Sequence, residues 1–273
     1  MSMYVPERFQ FLLPFECDLV RVGSSGDGGY VIPLNSLENA SSLISLGIAS
    51  EWSFDSDFLQ RRKGISYLAC DRGSGFLVHS FSALRGFLQN PLGHHRAAVA
   101  SFRIAFQFLR LVPPIAVKRR RYFARKWVRA TVLDMRRDTT MPELLSTLKR
   151  ERGIFVKMDI EGGEYEVLPQ MMQIERDKPG TFTGLVVEFH DISDKEVDFT
   201  RVVKEIQSVF AIAHIHVNNC VPISADFPSV IELSFTLRDL VGPRRVTKFP
   251  LDNLDFPNDP LLPDVFLTFQ SSQ

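Results

Sequence analysis

The sequence predicts an α/β protein built on a doubly wound, mostly parallel sheet. Short runs rich in Val, Ile and Phe recur along the chain, and most are followed by a segment with helical spacing. These runs are apolar throughout, as strands covered on both faces must be. Their ends, "LGIASE", "CDRG", "KMDIEGGE", "EFHD" and "HVNN", gather acids and histidines at the edge where open parallel sheets bind ligands.

At 273 residues, 45% hydrophobic and with no repeat or low-complexity tract, the chain suits a single domain over 1–273. Within it we expect an N-terminal hairpin region at 1–40 and a basic helical insertion or lid at about 76–129. Cys17, Cys70 and Cys220 share no CxxC spacing, which argues against a disulfide framework or a zinc knuckle. The opening "MSMYVPERFQ" lacks the basic and apolar regions of a signal peptide, so a cytoplasmic protein is expected.

Taken in order, "LVRVGSSGDGGYVIP" is two β-prone runs around a Gly-rich turn, hence a hairpin. "SLISLG", "EWSFDSDFLQRRKG" with Ser53 as N-cap, and "ISYLACD" make a strand, a helix and a strand. "RATVLDM" is a candidate third strand, "MPELLSTLKRERG" a helix closing on Gly153, and "IFVKMDI" the next strand. "GLVVEFHD", a helix around "KEVDFTRVVKEIQSVF", then "IAHIHVNN" and "SVIELSFTLR" complete the sheet.

Gly47 ends the first parallel strand and Asp71 ends the second. A glycine there admits a cofactor to the backbone, and an acid there accepts both ribose hydroxyls. "GIASEW" lacks GxGxxG, which disfavours a nicotinamide or flavin oxidoreductase, including one acting on a nucleotide sugar. Acids about the turn, Glu51 among them, would repel a pyrophosphate but hold the ammonium and hydroxyls of S-adenosylmethionine. "GSSGDGGY" fails both phosphate-loop spacings and reads as a hairpin turn, with Asp27, beside Gly28, a candidate ligand for that ammonium.

The blocks "LISLGIASEWSFDSDF", "VKMDIEGGEYEVL", "LVVEFHD", "HIHVNN" and "SVIELSFTLR", with the DGGY of Asp27 to Tyr30, resemble the FkbM-like family of S-adenosylmethionine-dependent methyltransferases. The resemblance runs from about Leu19 to Arg238, interrupted between about Ser74 and Arg129. It implies a Rossmann-like class I methyltransferase fold with a late antiparallel strand, and methyl transfer usually to oxygen. It also implies that Gly47 lines the cofactor, that Asp71 holds its ribose and that Asp159 faces the reacting end. Related O-methyltransferases hold a divalent metal with acids at two strand ends, which Asp159 and Glu188 match. Mg²⁺ would suit such oxygen ligands.

Methyl transfer to a hydroxyl needs alignment and removal of a proton. His190 is the first candidate base and Asp159 the second, with Glu188 beside them. His216, Asn218 and Asn219 are candidate hydrogen-bonding partners for a polyhydroxyl acceptor, a sugar, glycolipid or polyketide-like molecule. Strand alternation puts His214 and His216 on one face, so both line the pocket or neither does. It likewise puts Lys157 with Asp159, whereas Glu161, Glu164 and Glu166 fall in the first turns of a helix, where the macrodipole favours acids. Pro169 limits or kinks that helix.

Between Arg72 and Leu133 the chain has twelve Lys and Arg and no acid, although its formal net charge is zero. Arg96, Arg103 and Arg110 make a cationic stripe on an apolar helix, followed by "KRRRYFARKWVRA". Such a segment suits peripheral contact with an anionic membrane via 94–129, a lid over the acceptor, or packing against the acidic remainder. Nucleic acid is disfavoured by the neutral whole. The alternative to an enzyme is a non-catalytic methyltransferase-fold protein attached to a membrane through these helices.

Overall fold

The computed structural model describes residues 2–48, 51–71, 121–124, 126–129, 138–148, 152–221, 223 and 226–270. The strands are β1 (Ser2–Tyr4), β2 (Leu19–Val22), β3 (Tyr30–Pro33), β4 (Ser42–Leu46), β5 (Ser66–Cys70), β6 (Arg121–Ala124), β7 (Trp127–Val128), β8 (Asp138–Thr139), β9 (Ile154–Met158), β10 (Phe182–Phe189), β11 (Phe210–Val217), β12 (Ile231–Leu237), β13 (Lys248–Phe249) and β14 (Phe266–Thr268). The helices are α1 (Leu34–Glu38), α2 (Ser53–Arg61), α3 (Met141–Thr147), α4 (Glu164–Asp177) and α5 (Glu196–Gln207).

A seven-stranded sheet in the order β11-β12-β10-β9-β4-β5-β6 forms the centre. The strands from β10 to β6 pair in parallel, while β12 runs antiparallel between β10 and β11. This is the class I methyltransferase arrangement, a Rossmann-like sheet with one reversed strand near an edge. The β2–β3 hairpin pairs antiparallel, as the Gly-rich turn predicts.

Period-two alternation divides the core. Ile44, Val156, Met158, Leu185 and Val187 pack with Met141, Leu168, Met171, Phe199 and Val202 of α3, α4 and α5. Their neighbours Leu43, Phe155 and Val186 pack the opposite way, against Leu37 of α1, Phe54 and Phe58 of α2, and Tyr30 of the hairpin. Each strand is buried along its length because both faces are covered.

Several local expectations are corrected. Ser53 begins α2 instead of capping it, since the N-cap is Trp52. The Ser53 hydroxyl instead accepts the Ser24 N–H at 3.0 Å and donates to the Gly28 carbonyl at 3.2 Å, which fastens the hairpin turn to the helix. Glu161 is not helical: it sits at φ 53° in the turn before α4. Pro169 lies inside α4, which continues to Asp177.

The expected helical insertion at about 76–129 ends in strands. Arg121–Ala124 extends the open edge of β5, and Trp127–Val128 pairs with Asp138–Thr139. Aromatic residues alternating with cations suit a sheet edge as well as a helix. Arg96, Arg103, Arg110 and the remainder of the cationic stretch lie outside the described residues, as does most of "RATVLDM". No helix among the described residues is long and apolar enough to cross a membrane. The final segment adds a small sheet, β1-β14-β13, and lays residues 250–265 beside the tips of β11 and β12.

Candidate active site at the strand tips

Register brings the candidate residues together. Met158 pairs with Leu46 on one side and Val187 on the other, so Gly47, Asp159 and Glu188 stand level at neighbouring tips. Glu188 is opposite Glu232, and Glu232 is opposite His216. The row Asp159, Glu188, Glu232, His216 therefore crosses the sheet on the face the hairpin covers.

Gly47 has φ 70°, and a Cβ there would lie 1.5 Å from the Asp159 carbonyl oxygen. The glycine thus lets the tips of β4 and β9 touch, a demand within the protein that precedes any ligand. Asp71 ends β5 with its carboxylate accepting the Ile48 N–H at 2.7 Å. Gly28, at φ 78°, lies so close to Glu51 that a Cβ would meet its side chain at 1.9 Å. The DGGY turn and the turn after β4 are packed as one wall.

A cavity opens among these tips, lined by Asp27, Gly28, Tyr30, Ile48, Glu51, Phe54, Lys157, Asp159, Glu161, Glu188, Asn218 and Cys220. A neighbouring hollow between Val128–Arg129 and the 160–163 turn shares Glu161 with it. Lys157, buried and directed as alternation requires, donates to the Gly47 carbonyl and lies 3.3 Å from Asp159 Oδ2. Burial alone would lower its pKa, but Asp159, Asp55 and Glu188 raise it above the ordinary value, so it stays cationic. The Tyr30 hydroxyl lies 3.3 Å from Asp159 Oδ2 and 3.4 Å from Glu188 Oε2. Burial, then Asp159 and Glu188, push its pKa well above 10.

Glu188 is 5% exposed, and its Oε1 accepts from Asn218 Nδ2 at 2.9 Å. Burial first, then the Asp159 and Glu232 charges, raise its pKa to about 8. Burial and Asp159 likewise raise Asp27 above the usual carboxylate range. His190 is not among the lining residues. Its Nε2 lies 3.5 Å from Glu188, 3.6 Å from Glu161 and 3.7 Å from Asp159, and its Nδ1 lies 3.4 Å from Glu164. Burial opposes its charge, but Glu164, Glu188 and Asp159 outweigh it and raise the pKa to about 9. The carboxylates around His190, expected as the base, thus favour its protonated form. Asp159, Glu188 and His190 each offer a ligand atom within 4.8 Å of the others, a set able to hold a metal ion.

Neither His214 nor His216 lines the cavity. His214 Nε2 is 2.9 Å from Asp255, and His216 lies 3.4 Å from Asp264 and 3.7 Å from Glu232. Asn219 is likewise turned away: it donates to the Asp259 carbonyl at 3.0 Å and accepts the Asp259 N–H at 2.8 Å. Of the expected acceptor ligands only Asn218 reaches the cavity. Tyr30, Lys157 and Glu164 are the residues sequence reasoning passed over. The DGGY block and the placing of Lys157 on the Asp159 face were the available signals for the first two.

The family described as the methyltransferase FkbM domain matches residues 66–214, more than half of the chain. No curated protein matches at a significant level. Among solved structures, the precorrin-6y C5,15-methyltransferase from Geobacter metallireducens is 11% identical with a TM-score of 0.36, covering 74% of this chain and 86% of its own. The O-methyltransferase from Bacillus cereus, in complex with SAH, is 10% identical with a TM-score of 0.33, covering 74% and 77%. Fibrillarin from Methanococcus jannaschii is 11% identical with a TM-score of 0.33, covering 76% and 70%.

Proposed function

The chain belongs to the FkbM methyltransferase family, and from that premise we propose that, with S-adenosylmethionine as donor, it methylates a hydroxyl oxygen of a small polyhydroxylated molecule, a sugar, a glycolipid head or a polyketide-like compound. The observation that carries this reading is the acid-lined cavity, with Asp27, Glu51, Asp159 and Glu188 facing one space.

Such a wall suits a donor that bears an ammonium and a sulfonium, and an acceptor that offers hydroxyl hydrogens. It repels phosphate groups. The bound cofactor supplies an electrophilic methyl group. Asp71 and the backbone at Gly47 and Ile48 receive its nucleoside end, while Asp27, Gly28 and Glu51 flank its ammonium. Asp159 orients the acceptor hydroxyl at the β9 tip. Glu188, fixed by Asn218, takes the proton, a role its raised pKa of about 8 favours at mildly alkaline pH, where the group is ionised. His190 stands behind both and balances their charge.

The test is incubation with S-adenosylmethionine carrying an isotopically labelled methyl group and panels of sugars, glycolipids and hydroxylated polyketides. The expected product is an O-methyl ether. Label found on nitrogen or carbon instead would end the assignment to oxygen.

A second reading is favoured by the ligand atoms of Asp159, Glu188 and His190 lying within 4.8 Å of one another. A divalent cation there would supply Lewis-acid chemistry. The imidazole nitrogen makes Mn²⁺ or Zn²⁺ a better match than Mg²⁺, which prefers oxygen alone. An O-methylation rate unchanged by exhaustive chelation discards this reading.

A further inference from the structure

Glu164 closes the KMDIEGGE block, and the cavity makes no use of it. It is the first residue of α4 and is completely buried. An acid that serves only a helix dipole gains from staying in water, as the exposed Glu166 does one half-turn on. Withdrawing a carboxylate wholly from water costs far more than the dipole returns, so other partners must compensate.

Those partners are in place. Glu164 Oε2 accepts the Gly162 N–H at 2.8 Å, and Oε1 accepts the His190 N–H at 2.7 Å. The two bonds tie the turn after β9 to the tip of β10. They would suffice for a backbone staple, but a third contact goes further. The same Oε1 lies 3.4 Å from His190 Nδ1, a buried nitrogen with no hydrogen-bond partner of its own.

We propose that Glu164 is a positioning residue of this methyltransferase: its carboxylate draws the Nδ1–H of His190 and thereby aims Nε2 at Asp159 and Glu188. An imidazole can rotate by half a turn and exchange its nitrogens for ring carbons. A carboxylate on the Nδ1 side selects the orientation with an N–H there, the arrangement by which carboxylates orient histidines in proton-transfer and metal sites alike. With the ring so held, Nε2 faces oxygens of Asp159 at 3.7 Å and Glu188 at 3.5 Å, the pair at the cavity wall. The inference rests on the reading that this wall is where methyl transfer occurs. It holds whether those carboxylates work on a proton or on a cation.

Histidine-labelled protein decides it by long-range ¹H–¹⁵N correlation, with His190→Ala identifying one signal set among six histidines. The expected result is a protonated Nδ1 on His190 in the wild type. In Glu164→Gln the His190 resonances should shift or broaden, while S-adenosylhomocysteine still binds by calorimetry with unchanged affinity. Unaltered His190 resonances in folded Glu164→Gln would reduce Glu164 to a backbone staple and overturn the proposal. So would an unprotonated Nδ1 in the wild type, a measurement that stands even if the variant fails to fold. No acceptor is needed, so a failure of the oxygen assignment leaves this result intact, and the reverse.

Discussion

The β9–β10 side of the sheet and the β11–β12 side carry the same kinds of residue on the same face. Asp159, Glu188 and His190 stand on one side; Glu232, His214 and His216 stand on the other. Among the described residues, the first lines the cavity at the strand tips. The second is sealed by residues 250–265, which bring Asp255 to His214, Asp264 to His216 and Asn258 to Glu232. Histidine and carboxylate at strand tips therefore do not define a site by themselves. What decides is whether another part of the chain supplies their partners.

The comparison can be broken by substitutions that should act on activity on one side and on stability on the other. Glu188→Gln is expected to lower the rate of methyl transfer by about 10²–10⁴-fold while leaving the urea midpoint nearly unchanged. Comparable losses of stability and rate would mean that Glu188 is as structural as Glu232. On the sealed side, Asp255→Ala leaves the buried His214 ring without its hydrogen-bond partner, so urea unfolding should show a loss of about 1–3 kcal/mol. Activity per folded molecule should be kept.

His216 sharpens the contrast through pH. Burial opposes its charge, but Asp264 and Glu232 raise its pKa to about 10. The folded state holds this proton more tightly than the unfolded state, whose pKa is near the ordinary 6.5. The stabilisation is complete below about pH 6.5 and fades as pH rises towards 10. Urea midpoints measured across that range should fall in the wild type and fall less in His216→Gln. The smallest effect belongs to Glu166, exposed in the first turn of α4. Glu166→Gln should cost less than about 1 kcal/mol, measured by thermal unfolding, and leave catalysis alone.

Much of the sheet was legible because buried strands leave long apolar runs and crossovers separate them by helical spacing. The β4–α2–β5 unit, β9, β10, β11 and β12 all fall where those runs do. The segments missed were short or two-faced. The pairing of β1 with β14 joins residues at opposite ends of the chain, a contact no local period encodes. Arg121–Ala124 carries a pattern suited to either element, and the free edge of β5 chose the strand.

The site divides in the same way. Alternation alone put Lys157 with Asp159 and His214 with His216, and tip positions alone singled out Gly47, Asp71, Asp159 and Glu188. Sequence determined these because they follow from a strand's period and its end. Tertiary structure alone decided that His190 lies behind the wall, that Glu164 is buried against it, and that His216 and Asn219 are closed off by the last part of the chain. The physical reason is that a polar side chain's role depends on the partners that satisfy it, and those partners come from elements distant in sequence.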